Sequence, residues 1–171
     1  MPYAVTLRLD DASAARIQAL TETLADRGFA GGPSVYPPHV TLGLYGDEAD
    51  AEALAASVAT LGASWRPLRV QLAAIGIFPG SPCTLWLLPV TTSALLVRHA
   101  QLVGRHTAHP HYASGAWVPH VTLLQRLAGP EEAGAALAAS AALWQPHAAL
   151  LDRVELVRFH PVEIIASCSL G

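Results

Sequence analysis

Lysine is absent from this chain of 171 residues, so all ten basic side chains are arginine. In so alanine-rich a sequence this is a compositional bias, and it excludes no function. Charge of either sign is scarce: 13% of residues are charged, the net charge is −3 and the pI about 6.2. Such a balance provides no general positive field to draw in long duplex nucleic acid, while a small anion held by a few local groups stays open. Cysteine occurs only at Cys83 and Cys168, in apolar strand-like contexts where a free thiol behaves as a small hydrophobe. No disulfide framework is implied, and a reduced, cytoplasmic protein is the simpler reading. No apolar run approaches the roughly 20 residues of a bilayer crossing. Arg8, Asp10 and Asp11 interrupt the first segment before a signal-peptide core could form. The expectation is a soluble monomer with no membrane partner. With 52% hydrophobic residues it has ample material for a core and little room for disorder.

Against that background, the sequence repeats itself. Residues 37–42 read PPHVTL and residues 118–123 read VPHVTL. Valine and leucine have structural reasons to sit in a strand, but a His and a Thr two apart, directly after Pro, offer no packing advantage. Something polar is being placed twice.

The surrounding elements repeat too. Alternation over Tyr3–Asp10 predicts a strand, and Ile17, Leu20 and Leu24 follow at helical spacing up to Gly28. A Gly/Pro-rich loop leads to the strand His39–Tyr45. A helix over about 47–61 then presents Leu54, Val58 and Leu61 on one face. Strands at Arg69–Phe78 and Thr84–Val90 are joined by the turn Pro79–Pro82. A helix over about 93–105, using Leu95, Leu96, Leu102 and Val103, precedes the second PHVTL strand. Pro130 opens a last helix, with Glu131 and Glu132 set against its dipole. Strands Arg153–Phe159 and Glu163–Leu170 close the chain. Strand, helix, loop, PHVTL strand, helix therefore occurs twice, with 29 residues from Asp10 to His39 and 30 from Val90 to His120. No polar or low-complexity linker divides the halves, so residues 1–171 read as one α+β domain of two pseudo-symmetric parts.

Strand side chains alternate, so His39 shares a face with Thr41, and His120 with Thr122. Val40, Leu42, Val121 and Leu123 take the opposite face, toward a core. If the halves face each other, two imidazoles and two hydroxyls meet in one cleft. Phosphodiester chemistry needs a base for the attacking oxygen, an acid for the departing one and donors for the non-bridging oxygens. Histidine, with a pKa near 6.5, serves in either of the first two roles. Threonine donates without adding a competing acid. A lone HVTL would more simply be a histidine bonded to a backbone carbonyl at a strand mouth; two copies in matching context favour a shared site. A symmetric binding cleft without turnover would share the same pattern.

The doubled motif, its spacing and the element order resemble the two-histidine phosphoesterases, the RNA-ligase-like or cyclic phosphodiesterase superfamily, over nearly the whole chain. The resemblance implies a bilobal α+β fold, with antiparallel sheets lining a central cleft and helices outside. It also implies metal-independent action, without a cofactor, on 2′,3′-cyclic phosphates of nucleotides or RNA 3′ termini, giving 2′-phosphates. RNA 2′,5′-ligation would be the same bond chemistry in reverse. His39, Thr41, His120 and Thr122 carry over as the catalytic set. His120 is expected to take the proton from an attacking water while His39 protonates the leaving ribose 3′ oxygen. A catalytically weak nucleotide-binding module using the same cleft is the alternative.

The pattern departs in one place: related bacterial sequences often carry Arg five residues after the second His, where this chain has Gln125. By alternation Arg126, one further, shares the face of His120 and is expected to serve the phosphate, with Tyr45 at the equivalent position after His39. Tyr45 and Trp117 are candidates for stacking on a base; for Tyr36 and Tyr112, stacking and loop packing weigh equally. His106, His109 and His111 lie close in sequence, but their loose spacing without Cys or carboxylate favours a solvated loop over a metal site. His99, His147 and His160 read as structural. Arg158 either enters the cleft or pairs with Glu155.

Overall fold

The computed structural model describes residues 3–29, 36–159 and 161–171, so His160 lies outside the described residues. Among the described residues, seven strands and four α-helices follow the predicted order: β1 Tyr3–Leu9, α1 Asp11–Asp26, β2 His39–Tyr45, α2 Ala51–Ser64, β3 Leu68–Phe78, β4 Cys83–Pro89, α3 Ser93–Val103, β5 Val121–Leu127, α4 Pro130–Leu143, β6 His147–Arg158 and β7 Glu163–Ser169. A single 3₁₀ turn, Pro110–Tyr112, interrupts the long loop before β5.

All pairing is antiparallel, and it branches at β6. The first half of β6 pairs with β3, from His147 against Leu72 to Leu151 against Leu68. Its second half pairs with β1 and with β7, Glu155 facing Thr6 on one side and Ser167 on the other. Two four-stranded arms therefore share this one strand: β2-β1-β6-β7 in the first lobe and β5-β4-β3-β6 in the second. The two expected sheets are arms of one hydrogen-bonded whole. Each PHVTL strand is an outer strand of its arm, and β2 and β5 approach one another. β6 begins at His147, six residues before the predicted Arg153. Alternation breaks near Asp152, where the strand changes partners, and this hides the first half from a periodicity reading.

Side-chain caps set the helix starts. Asp10, Asp50 and Thr92 each accept from a backbone amide three residues on, and Asp50 moves the start of α2 to Ala51, past the expected 47. Ile17, Leu20 and Leu24 of α1 and Leu54, Val58 and Leu61 of α2 are buried as expected. The buried stripe of α3 is Leu95, Arg98, His99 and Leu102, whereas Leu96 is half exposed. The 3.6-residue period is intact there, but polar residues carry half of it, and a purely apolar reading misses them. α2 packs on β6, β7 and β1; α4 packs on β3, β4 and β5. The other two helices cross over, α3 against β2 and α1 against β5 and α4. Among the described residues, no helix is long and apolar enough to cross a membrane. Both cysteines are free.

Gly62 lets α2 approach the sheet closely: a Cβ there would lie 2.7 Å from Cys168 Sγ and 2.9 Å from Val154 Cγ1. Gly62→Val overpacks this seam and is expected to cost about 1–3 kcal/mol. In urea unfolding the midpoint should fall with the slope unchanged; an unshifted midpoint would show that the seam yields freely.

Candidate active site

Proline placed directly before each histidine has a geometric consequence. It restricts the residue ahead of it to extended backbone, which turns that residue's carbonyl back toward the ring two positions on. His39 Nδ1 lies 2.8 Å from Pro37 O, and His120 Nδ1 lies 2.8 Å from Val118 O. A carbonyl only accepts, so Nδ1–H donates in both rings and each Nε2 is left bare in the neutral form. The repeat thus prepares two imidazoles in the same tautomer.

Burial lowers the pKa of His39 to about 4, with the positive charges of His120 and Arg8 adding to the effect while Glu155 and the Pro37 carbonyl oppose it. His120 is lowered by burial against the raising effect of Val118 O. Its ring meets Phe78 edge-on at 4.8 Å and lies 6.2 Å from Trp86. Trp86 in turn stacks on Phe78 at 5.0 Å and lies over Gly76, where a Cβ would come within 2.4 Å of the indole. The second lobe therefore offers an aromatic floor.

After each threonine the ladder slips by one residue. Thr6 pairs with Thr41 and Val5 with Gly43, so Leu42 is extra. Trp86 pairs with Thr122 and Leu85 with Leu124, so Leu123 is extra. A bulge at the final Leu of PHVTL occurs in both strands, and a one-residue insertion exchanges the faces beyond it. This corrects the reading by alternation. Leu44 and Gln125, five residues after each His, line the cleft. Tyr45 instead turns into the core over Gly43, 3% exposed and edge-on to His106, so it offers no stacking surface. Arg126 lies within a second slip in the ladder, between Leu124 and Leu127, exposed at φ 63, so alternation does not set its direction.

A cavity of about 560 Å³ opens beside His120 and Thr122, walled by Phe78, Thr84, Gln125, Leu44 and Trp117, with His109, His111 and Tyr112 at its side. His39 and Thr41 stand beyond this lining. Thr41 is 8% exposed; its hydroxyl lies near the Tyr112 phenol, and its carbonyl accepts from Trp117 Nε1 at 2.9 Å. His99 fixes both covering residues, stacking on Trp117 at 4.1 Å and bonding Tyr112 O through Nε2 at 2.8 Å. Its structural reading agrees with these contacts. The loop histidines diverge: His106 Nε2 is 2.7 Å from Ser57 Oγ, while His109 and His111 face the cavity. Among the described residues, no group of three or more His, Cys, Asp or Glu is placed to hold a metal.

Sequence reasoning missed the polar network beside His39. Tyr36 lies 4.7 Å from the His39 ring, and its hydroxyl joins Thr6 Oγ1 and Glu155 Oε2, both at 2.7 Å. Glu155, 1% exposed, also accepts from Ser167 at 3.0 Å and from Arg8 at 3.4 Å. Arg8 is the cross-strand partner of His39. Polar residues at 6 and 8, alternating with Val5, Leu7 and Leu9, were the available signal. Arg158 pairs with Glu163, not with Glu155.

Comparison with known proteins follows the same lines. The profile of the 2′-5′ RNA ligase superfamily matches residues 9–163. No curated protein matches. Among solved structures, E. coli LigT complexed with 3′-AMP is 19% identical with a TM-score of 0.65, the alignment covering 99% of this chain and 98% of that one. TT0787 of Thermus thermophilus is 22% identical with a TM-score of 0.64, over 99% of this chain and 98% of its own. E. coli LigT complexed with phosphate is 15% identical with a TM-score of 0.63, covering 99% and 97%. At these identities the likeness is one of fold.

Long-range ¹H–¹⁵N spectra at pH 7.5 should show Nδ1 protonated and Nε2 unprotonated in both His39 and His120, with His39 titrating near 4. Since its folded pKa is lowered, the unfolded chain binds the proton more tightly, and the stability tied to His39 is lost as pH falls from about 6.5 toward 4. An Nε2–H tautomer in either ring would overturn the assignment.

Proposed function

The chain belongs to the 2′-5′ RNA ligase superfamily, and from that premise we propose that it hydrolyses 2′,3′-cyclic phosphodiesters, on nucleotides or RNA 3′ ends, to 2′-phosphates. One observation carries the reading: two imidazoles held in one tautomer by equivalent carbonyls, each next to a threonine two residues on, with the charge of one reaching the other.

His120 takes a proton from water through its bare Nε2 as the water attacks phosphorus. His39 protonates the ribose 3′ oxygen as the P–O3′ bond breaks, and the phosphate stays on O2′. Thr41 and Thr122 donate to the non-bridging oxygens. The choice of leaving oxygen rests on the family resemblance. Environment suits His39 to its part: burial and neighbouring positive charge make its imidazolium a stronger acid than a free one. An anionic substrate favours an imidazolium beside it, so binding helps load one proton on His39, and the repulsion between the rings disfavours a second on His120. His39, Thr41, His120 and Thr122 form the working set; Trp117 presents an indole to the cavity for a base, in line with the aromatic floor of Phe78 and Trp86. Side chains supply base, acid and donors, so no metal is called for. Ring opening by an RNA 5′ hydroxyl in place of water forms P–O5′ as P–O3′ breaks, gives a 2′,5′ linkage and uses the same groups. Residues 1–171 act as one unit in this scheme, because each lobe contributes one histidine. A monomer in the cytoplasm suffices for it.

His39→Ala and His120→Ala should each lower turnover of 2′,3′-cyclic AMP by about 10²–10⁴-fold, with circular dichroism unchanged and wild-type activity surviving exhaustive chelation. Phosphorus NMR should show adenosine 2′-phosphate. Near-normal activity in either variant sinks the two-histidine mechanism, and binding without turnover in the wild type leaves only a nucleotide-binding module.

The pH profile of kcat/KM should form a bell whose alkaline limb lies below 6.5, because the lowered pKa values deprotonate the acid early; the limbs belong to the coupled pair. In kcat the same limb should move to higher pH, since bound phosphodiester anion favours the imidazolium. A rate rising steadily through alkaline pH removes the general acid.

A further inference from the structure

We propose that Arg8 is a phosphate-binding residue of this cleft, holding a non-bridging oxygen beside His39 and supplying from the first strand the cation that the second motif lacks at Gln125. This rests on the phosphoester reading above and deepens it.

The two lobes differ where their fold is most alike. In the first, the neighbours of His39 and Thr41 across the ladder are Arg8 and Thr6. In the second, Trp86 stands opposite Thr122, and the register that pairs Leu87 with Val121 sets Leu88 beside His120. One lobe is polar and cationic, the other apolar and aromatic. A nucleotide has the same division, so phosphate belongs against Arg8 and the base against Phe78 and Trp86.

Arg8 is also under-used by the protein. Its side chain is 12% exposed, and among the described residues the 3.4 Å contact of Nη1 with Glu155 is the one hydrogen bond it makes. Nε is buried without a partner. A guanidinium has five N–H donors, and leaving a buried one unmade is costly, so Arg8 keeps capacity for a further acceptor. The head is held in place: the Tyr36 ring lies 5.7 Å from Cζ, and Glu155, fixed by Tyr36 and Ser167, meets Nη1. Among the described residues, Arg8 is the one arginine whose charge is felt by either imidazole. Charged and titratable groups at His39 are then Arg8 from β1, Glu155 from β6, Tyr36 ahead of β2 and His120 from β5, with Arg153 of β6 4.0 Å from Glu155. A planar fork suits a phosphate, which accepts two parallel N–H bonds.

The rival explanation is that Arg8 only neutralises buried Glu155. Titration with adenosine 2′-phosphate by calorimetry, in wild type, Arg8→Gln, Arg8→Lys and the double variant Arg8→Gln/Glu155→Gln, separates the two. Arg8→Gln should weaken binding about 10- to 100-fold. The double variant, which no longer buries an unpaired carboxylate, should stay as weak. Arg8→Lys keeps the ion pair but loses the fork, so it should lose several-fold and serves as the readout if Arg8→Gln does not fold. Removing the guanidinium should also move the alkaline limb of kcat/KM to higher pH, since a positive neighbour of His39 is gone. Wild-type affinity in Arg8→Gln or Arg8→Lys, or its recovery in the double variant, overturns the proposal. Wild type that binds adenosine 2′-phosphate through Arg8 yet does not turn over 2′,3′-cyclic AMP sinks the hydrolase reading alone; wild type that does not bind it sinks this proposal.

Discussion

The hydrogen-bonding capacity of one strand organises the molecule. A strand offers two edges, and β6 uses them unevenly along its length: its second half is flanked by β1 and β7, its first half bonded to β3. Two arms radiate from this spine and end in β2 and β5. The doubled motif stands on these outer strands, and their approach sets the histidines within electrostatic reach of one another. Lengthening or breaking β6 near Leu151, which pairs with both Leu9 and Leu68, would alter both arms at once.

Every letter of PHVTL has a separate duty in this frame. Proline aims the preceding carbonyl, and that carbonyl takes the Nδ1 proton of histidine. Valine packs in the core, threonine shares the face of its histidine, and leucine is the extra residue of a bulge. Only the full five-residue unit delivers a tautomer, a hydroxyl and a change of face together, which explains why the repetition extends past the two polar residues. Beyond the bulge the copies diverge, to Leu44 in one lobe and Gln125 in the other.

Much of this was legible in the sequence. Element order, the duplicated halves and the common face of each His and Thr follow from periodicity and need no long-range information. What failed depended on partners. Alternation assigned Tyr45 and Arg126 to the cleft because a bulge is a property of two strands and leaves little trace in either. The first half of β6 was hidden because Asp152 sits where the strand changes neighbours. Arg8 looked like an ordinary surface charge in a half-buried strand, and only the register against His39 and the buried carboxylate of Glu155 give it another meaning. Arg98 and His99 escaped a search for apolar stripes although they kept the helical period.

The crossing of α1 and α3 ties the two lobes into one folding unit. Each of these helices leaves its own lobe and packs against the motif strand of the other, α1 against β5 and α3 against β2. That is the topology of a domain-swapped dimer written on a single chain. Taken alone, either half would leave the apolar back of its motif strand bare, so neither closes its core without the other's helix. Joined in one chain, the two halves are not bound to self-complementarity. One lobe was free to gather arginine and glutamate and the other tryptophan and phenylalanine, without either having to match itself across a two-fold axis.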